Sequence, residues 1–174
     1  MKPGFRRLAR RLLPLAALAW LAGSSVSAAA AMPSIGWVEN AVIYPGAIRL
    51  RARIDTGARI SSLRYANLRV YPKDGRRWAE FTVADRNGRE WDLQGPVIRM
   101  IRVKTHAGSF NRRPVVRLGI CVGTRYRDVE VSLARRADFN YPLLIGRSYL
   151  AGTFLVDPGR TFTAKPRCPS PAGK

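Results

Sequence analysis

The chain has 174 residues, 47% of them hydrophobic, with 31 lysines and arginines against 11 acidic residues and a formal net charge of +20. That length suits one domain plus a targeting segment, with enough apolar content for a core. A single histidine, His106, no His-Glu-x-x-His run and two distant cysteines argue against metal chemistry, and no glycine-rich Lys-Ser/Thr loop supports ATP use. No metal and no cofactor are therefore expected.

Lys2, Arg6, Arg7, Arg10 and Arg11 belong to a leader, and 26 basic residues remain against the 11 acidic ones. A surplus that large draws a protein to anionic surfaces: lipid, lipopolysaccharide or acidic polypeptide. The basic residues are spread along the chain without an aromatic stacking platform, so no specific nucleic-acid partner is expected. Attraction to anionic envelope surfaces is.

Residues 1–31 read as a signal peptide: a basic start, an apolar stretch from Leu12 to Ala22, then small residues from Ser24 to Ala31 that offer cleavage sites. The apolar stretch is too short to span a bilayer comfortably. The reading is of an exported, periplasmic protein, tethered to the inner membrane if the leader stays uncleaved. Residues 32–165 form the domain, and 166–174 a Pro-rich, flexible tail.

Short strand signals follow one another at about ten-residue spacing. Ile35–Glu39 and Val42–Tyr44 come first, then Ala47–Ile54, whose Ile48, Leu50, Ala52 and Ile54 share one face while the arginines share the other. Leu68–Tyr71 and Trp78–Val83 flank a turn at Asp74-Gly75, and Asn87-Gly88 marks a second hairpin. Val97–Val103, Pro114–Val122 and Thr124–Leu133 continue the series, and Ser148–Ala151 alone looks helical. The pattern is all-β, a barrel or a sandwich. Cys121 and Cys168 are either bridged, as export would favour, or leave Cys121 a buried free thiol in an apolar strand.

At the tip of the Ala47–Ile54 strand stand Asp55, Thr56, Gly57 and Ala58. Asp-Thr-Gly there resembles the active-site triplet of aspartic proteases. Two carboxylates held together share one proton, so one can act as base on a water while the other donates to the substrate carbonyl. Downstream, Leu144-Ile145-Gly146-Arg147 followed by a helical turn is similar to the second motif of retropepsins, which packs beneath the catalytic loop. Taken alone, either motif is a strand closed by a turn. Their order is the more specific signal.

From Arg53 to Thr163 the chain resembles the bacterial retropepsin-like aspartic peptidases once described as ATP-dependent zinc proteases. Ser61-Ser62-Leu63, Arg112–Val116, Leu133–Asp138 and Phe154–Pro158 carry the likeness further, while Ile60 and Arg64-Tyr65 depart from it, where the family has Thr and His-Ala. The resemblance implies a single-lobe, closed-barrel fold with one short helix near the C-terminus. It implies an aspartic endopeptidase acting on a polypeptide substrate, with Asp55 catalytic, Thr56, Gly57 and Ala58 supporting its loop, and Leu144, Ile145, Gly146 and Arg147 beneath it.

The chain carries one such motif, so the dyad requires a homodimer in which each copy lends one Asp55. Activity is then expected at acid to neutral pH. Ile60 and Ile145 are expected to line the cleft, and Arg147 to brace the fold or the dimer. Either the Lys104–Asn111 segment or the Asp74-Gly75 hairpin serves as the flap. Asp157 reads as a turn residue. The alternative is a catalytically silent periplasmic binding or regulatory module of the same fold.

Overall fold

The computed structural model describes residues 31–104, 108–135 and 140–169. The leader up to residue 30, His106 and the Arg136–Asp138 part of the resemblance lie outside the described residues. The elements are β1 (Ser34–Tyr44), β2 (Ile48–Ile54), β3 (Ser61–Arg64), β4 (Leu68–Lys73), β5 (Arg76–Ala84), β6 (Glu90–Pro96), β7 (Arg99–Lys104), β8 (Phe110–Val122), β9 (Arg125–Ala134), β10 (Leu143–Ile145), α1 (Arg147–Leu150) and β11 (Leu155–Thr161).

Strands β1, β2, β10, β3, β9 and β8 pair in that order, and β8 returns to β1 through Val42↔Cys121, Ile43↔Ile120 and Tyr44↔Gly119, closing a six-strand barrel. β11 extends the sheet beside the first half of β1, in parallel, and β7 extends it beside the first half of β8. Strands β4, β5 and β6 form a separate three-stranded sheet. Its Ala79, Phe81, Val83 and Leu93 join the barrel core.

Alternation on β2 places its side chains as the sequence predicts. Ile48, Leu50, Ala52 and Ile54 are buried, while Arg49 and Arg51 face solvent. The two hairpins also stand where predicted. Asp74 and Gly75 both have positive φ, 49° and 70°, the mirror-image turn that Asp-Gly favours between twisted strands. Gly88, with φ 82°, serves the β5–β6 turn. There Asp85 Oδ1 accepts from the amides of Asn87 and Arg89.

Three readings are corrected. The two opening strand signals are one continuous strand, β1, because Asn40 pairs with Arg51 across the expected gap. The Asp157-Pro158-Gly159 stretch lies inside β11, with the Gly159 amide donating to Asp157 Oδ1; β11 is an edge strand and tolerates the proline. Finally, the segment from 166 is not loose up to Cys168: the Arg167 amide donates to Gly123 O at 2.7 Å, and Cys168 is bridged to Cys121, with Cα atoms 6.0 Å apart.

The approach of the C-terminal segment to β1 is organised by one carboxylate. Glu39 is 0% exposed. Its Oε1 accepts from the Gly36 amide, the Thr163 amide and the Thr163 hydroxyl, and its Oε2 from the Ala164 amide. Gly36 is required there, since a Cβ would stand 2.2 Å from the carbonyl oxygen of Arg160.

Candidate functional site

Asp55 follows β2 directly, and its amide donates to Ile145 O at 2.9 Å, continuing the β2–β10 pairing by one residue into the loop. The loop then folds back on the carboxylate. Gly57 and Ala58 each donate an amide to Asp55 Oδ1 at 3.1 Å. That oxygen is committed to backbone. The other, Oδ2, meets Arg53 Nη2 at 3.2 Å, with the Asp55 side chain 21% exposed and the Arg53 side chain 39% exposed.

The second motif supports this loop from below. Arg147 donates from Nη1 to the carbonyls of Thr56 (2.9 Å) and Gly57 (2.7 Å), its amide donates to Ala58 O, and the Ser148 amide donates to Arg59 O. Gly146 is wedged against the chain above it: a Cβ would lie 2.6 Å from the backbone carbonyl of Ile60. The Gly146 amide donates to Ser61 Oγ, and Ser132 Oγ donates to Ser61 O, so two buried serines couple β3 and β9 to the motif. The residues singled out in the sequence, Asp55 to Ala58 and Leu144 to Arg147, thus form one connected unit.

Ile145 does not line a cleft. It is 0% exposed in the barrel core, opposite Ile54, because a strand flanked on both sides turns alternate residues inward. Ile60 is half-buried and meets Gly146 through its backbone.

Sequence reasoning missed three participants. Arg53 is visible in the sequence as one of a row of outward arginines and as the first residue of the resemblance, with no role attached to it. Ser61 gave no signal beyond its place in the resemblance. Glu130, on β9, accepts from Arg99 at the base of the β7–β8 hairpin. That hydrogen bond, with the charges of Arg99, Arg117 and Arg59 nearby, holds the Glu130 carboxyl below its usual range despite its partial burial. Glu130 therefore ties the hairpin base to β9.

Beside the loop lies a largely apolar hollow of about 380 Å3, lined by Thr56, Arg147, Leu150, Phe154, Leu155 and Val156 among others. Leu155 is 58% exposed there. Among the described residues, no three His, Cys, Asp or Glu side chains cluster as a metal site would require.

A closed six-strand barrel with a strand-tip Asp-Thr-Gly loop seated on an Ile-Gly-Arg turn is the single-lobe architecture of retropepsins. A family model described as "RimB-like: Retropepsin-like aspartic endopeptidase RimB" matches residues 34–167, and the chain belongs to that family. A crystal structure of a Legionella pneumophila protein of unknown function is similar, with a TM-score of 0.67 and 34% identity over 76% of this chain and 98% of that one. Among curated proteins, a probable alpha-L-glutamate ligase of Shewanella halifaxensis is 32% identical over 120 residues, 67% of this chain. One from Desulfotalea psychrophila is 30% identical over 112 residues. The match spans only about a quarter of the length of these ligases, 26% and 24% respectively.

Proposed function

We propose that the protein is an exported aspartic endopeptidase whose active form is a homodimer, with one Asp55 from each copy forming the catalytic pair. The observation that carries this is the asymmetric treatment of the Asp55 carboxylate: one oxygen is fixed by two loop amides while the other meets the partly exposed Arg53. A carboxylate held in that way is oriented without being consumed. The apolar hollow beside Thr56, with its exposed Leu155, supports burial against a second copy.

In the reaction, one Asp55 takes a proton from water as the oxygen attacks the scissile carbonyl carbon, while the protonated partner donates to the carbonyl oxygen. The tetrahedral intermediate collapses as the amide nitrogen gains a proton and the C–N bond breaks, giving a carboxylic acid and an amine. The second motif keeps the two loops from yielding as charge moves. Of the two flap candidates, the β7–β8 hairpin is favoured, because its base is fixed to β9 through Arg99 and Glu130.

The substrate reading is an extended, acidic polypeptide. Arg51 and Arg53 stand two residues apart on the outer face of β2, about 6.6–7 Å, the spacing of alternate side chains on an extended peptide. That the chain shares a segment with proteins named probable alpha-L-glutamate ligases agrees with a glutamate-rich substrate.

A second reading, a binding module without turnover, rests on the Arg53–Asp55 ion pair, which engages the oxygen that catalysis needs. Incubating the protein and its Asp55→Asn variant with a diverse peptide library across a pH series separates the two. Under the enzyme reading, cleavage favours acidic sequences and acid to neutral pH, and the variant is slower by at least about a hundredfold. Equal cleavage by both proteins would remove Asp55 from the mechanism. Silence from both, with binding of acidic peptides retained, would establish the binding module.

A further inference from the structure

We propose that the hollow at the Arg49 end of β2 is a binding site for a phosphomonoester carried on a small polar group, separate from the Asp55 site. It encloses about 330 Å3 between β1, β2, the β5–β6 turn and the C-terminal segment. Ala41 and Leu50, both buried in the core, lie beneath it, and its walls carry Arg49, Arg86, Lys165 and Arg167. Four cations face one space with no acid in the lining. Neither ion pair found among the described residues uses any of them.

The convergence is built into the backbone. The Arg86 amide donates to Arg49 O at 3.1 Å, and the turn that carries Arg86 is closed by Asp85 accepting from Asn87 and Arg89. On the opposite wall, Lys165 and Arg167 stand between two fastenings: Ala164 donates to the buried Glu39, and Cys168 is bridged to Cys121. Pro166 restricts the backbone between them. Four like charges held together in this way repel one another, and an anion inside the hollow relieves that repulsion.

The chemistry selects the anion. A phosphomonoester carries about −1.5 to −2 charges and three strong acceptor oxygens in one small group, where a carboxylate carries −1. Guanidinium forks match its oxygens pairwise. The volume is at the lower end of small-molecule sites, leaving room for a carrier beside the phosphate, and the half-buried Asn40 is among the lining residues. Arg49 and Asp55 stand six positions apart, about 20 Å of extended chain, so the proposal stands whether or not the protein cleaves peptides. The same group occurs on soluble sugar phosphates and on phosphorylated lipid headgroups.

The test titrates the full chain with glucose 1-phosphate by calorimetry at fixed salt. In parallel, the protein is floated with phosphatidylcholine vesicles containing phosphatidic acid, or phosphatidylglycerol at equal surface charge. Binding in the first arm identifies a soluble ligand, and flotation with phosphatidic acid alone a lipid headgroup. In the arm that binds, Arg49→Gln with Arg86→Gln should weaken affinity at least about tenfold, and Arg167→Gln on the other wall should weaken it too. Arg76→Gln with Arg125→Gln removes equal charge from exposed positions elsewhere and should leave affinity within about twofold. Thermal melts would confirm that each variant folds. Equal weakening by both double variants, equal flotation on both anionic vesicles, or no binding in either arm would overturn the proposal.

Discussion

Two carboxylates of the same barrel are used in opposite ways. Glu39 is fully buried and accepts four hydrogen bonds that fasten the C-terminal segment across β1. Asp55 spends one oxygen on its own loop and holds the other against Arg53 at a partly exposed rim. The contrast shows what separates a structural acid from a candidate catalytic one. Saturating both oxygens makes a rivet. Anchoring one gives an aimed group, whose cost in loop rigidity falls on the neighbours, here Gly146 and Arg147.

Each region can be broken separately. The largest stability effect is expected where the clamp is covalent. Replacing Cys121 and Cys168 together by Ser opens a link across 47 residues, worth about 4 kcal/mol by the chain-entropy account. A differential melt should show the loss in oxidising buffer and none in excess reductant; identical melts in oxidising buffer would refute it. Gly146→Ala should cost about 3 kcal/mol, because the new methyl group meets the Ile60 backbone, which cannot step aside as a side chain would. Denaturant titration reads it, and a cost below about 1 kcal/mol would mean that the loop yields.

Glu39→Gln should cost about 1–3 kcal/mol, since an amide nitrogen at either position faces a backbone or hydroxyl donor. Proteolysis should then cut within 162–169 while sparing the Asp55 loop. Cleavage at both places would mean that the two regions are not independent.

The smallest effect is a slope. The Tyr149 hydroxyl accepts from the Val122 amide and donates to Arg125 O, and burial pushes its ionisation above the ordinary tyrosine value. The unfolded chain ionises near pH 10 while the folded one stays neutral, so the stability present below that pH is lost as it rises. Tyr149→Phe should be less stable at neutral pH by about 1–3 kcal/mol, having orphaned the Val122 amide, yet fall less steeply above pH 10. Parallel alkaline curves for the two proteins would contradict this.

Much of the site was legible because it is local. A period-two strand ending in Asp-Thr-Gly sets Asp55, Gly57 and Ala58 within one turn, and the hydrogen bonds there span two or three residues. Glycine-rich turns announce themselves in the same way, as at Asp74-Gly75. What the sequence hid is relational. Glu39 looks like any polar residue on a strand until residues some 124 positions away close over it. The Arg53–Asp55 pair was hidden by repetition, as one arginine in a row of three. Ile145 was misread for a related reason: in a three-residue run of apolar side chains, periodicity alone does not say which faces the core.

The parallel pairing of β11 with β1 has a consequence in time. Ser34 and Ile35 meet Leu155 and Val156, and Glu39 acquires its last donor from Ala164. The first strand therefore lacks one of its neighbours, and its acid lacks most of its donors, until more than a hundred further residues have been synthesised. Burial of Glu39, and with it this corner of the barrel, therefore waits on residues 163 and 164.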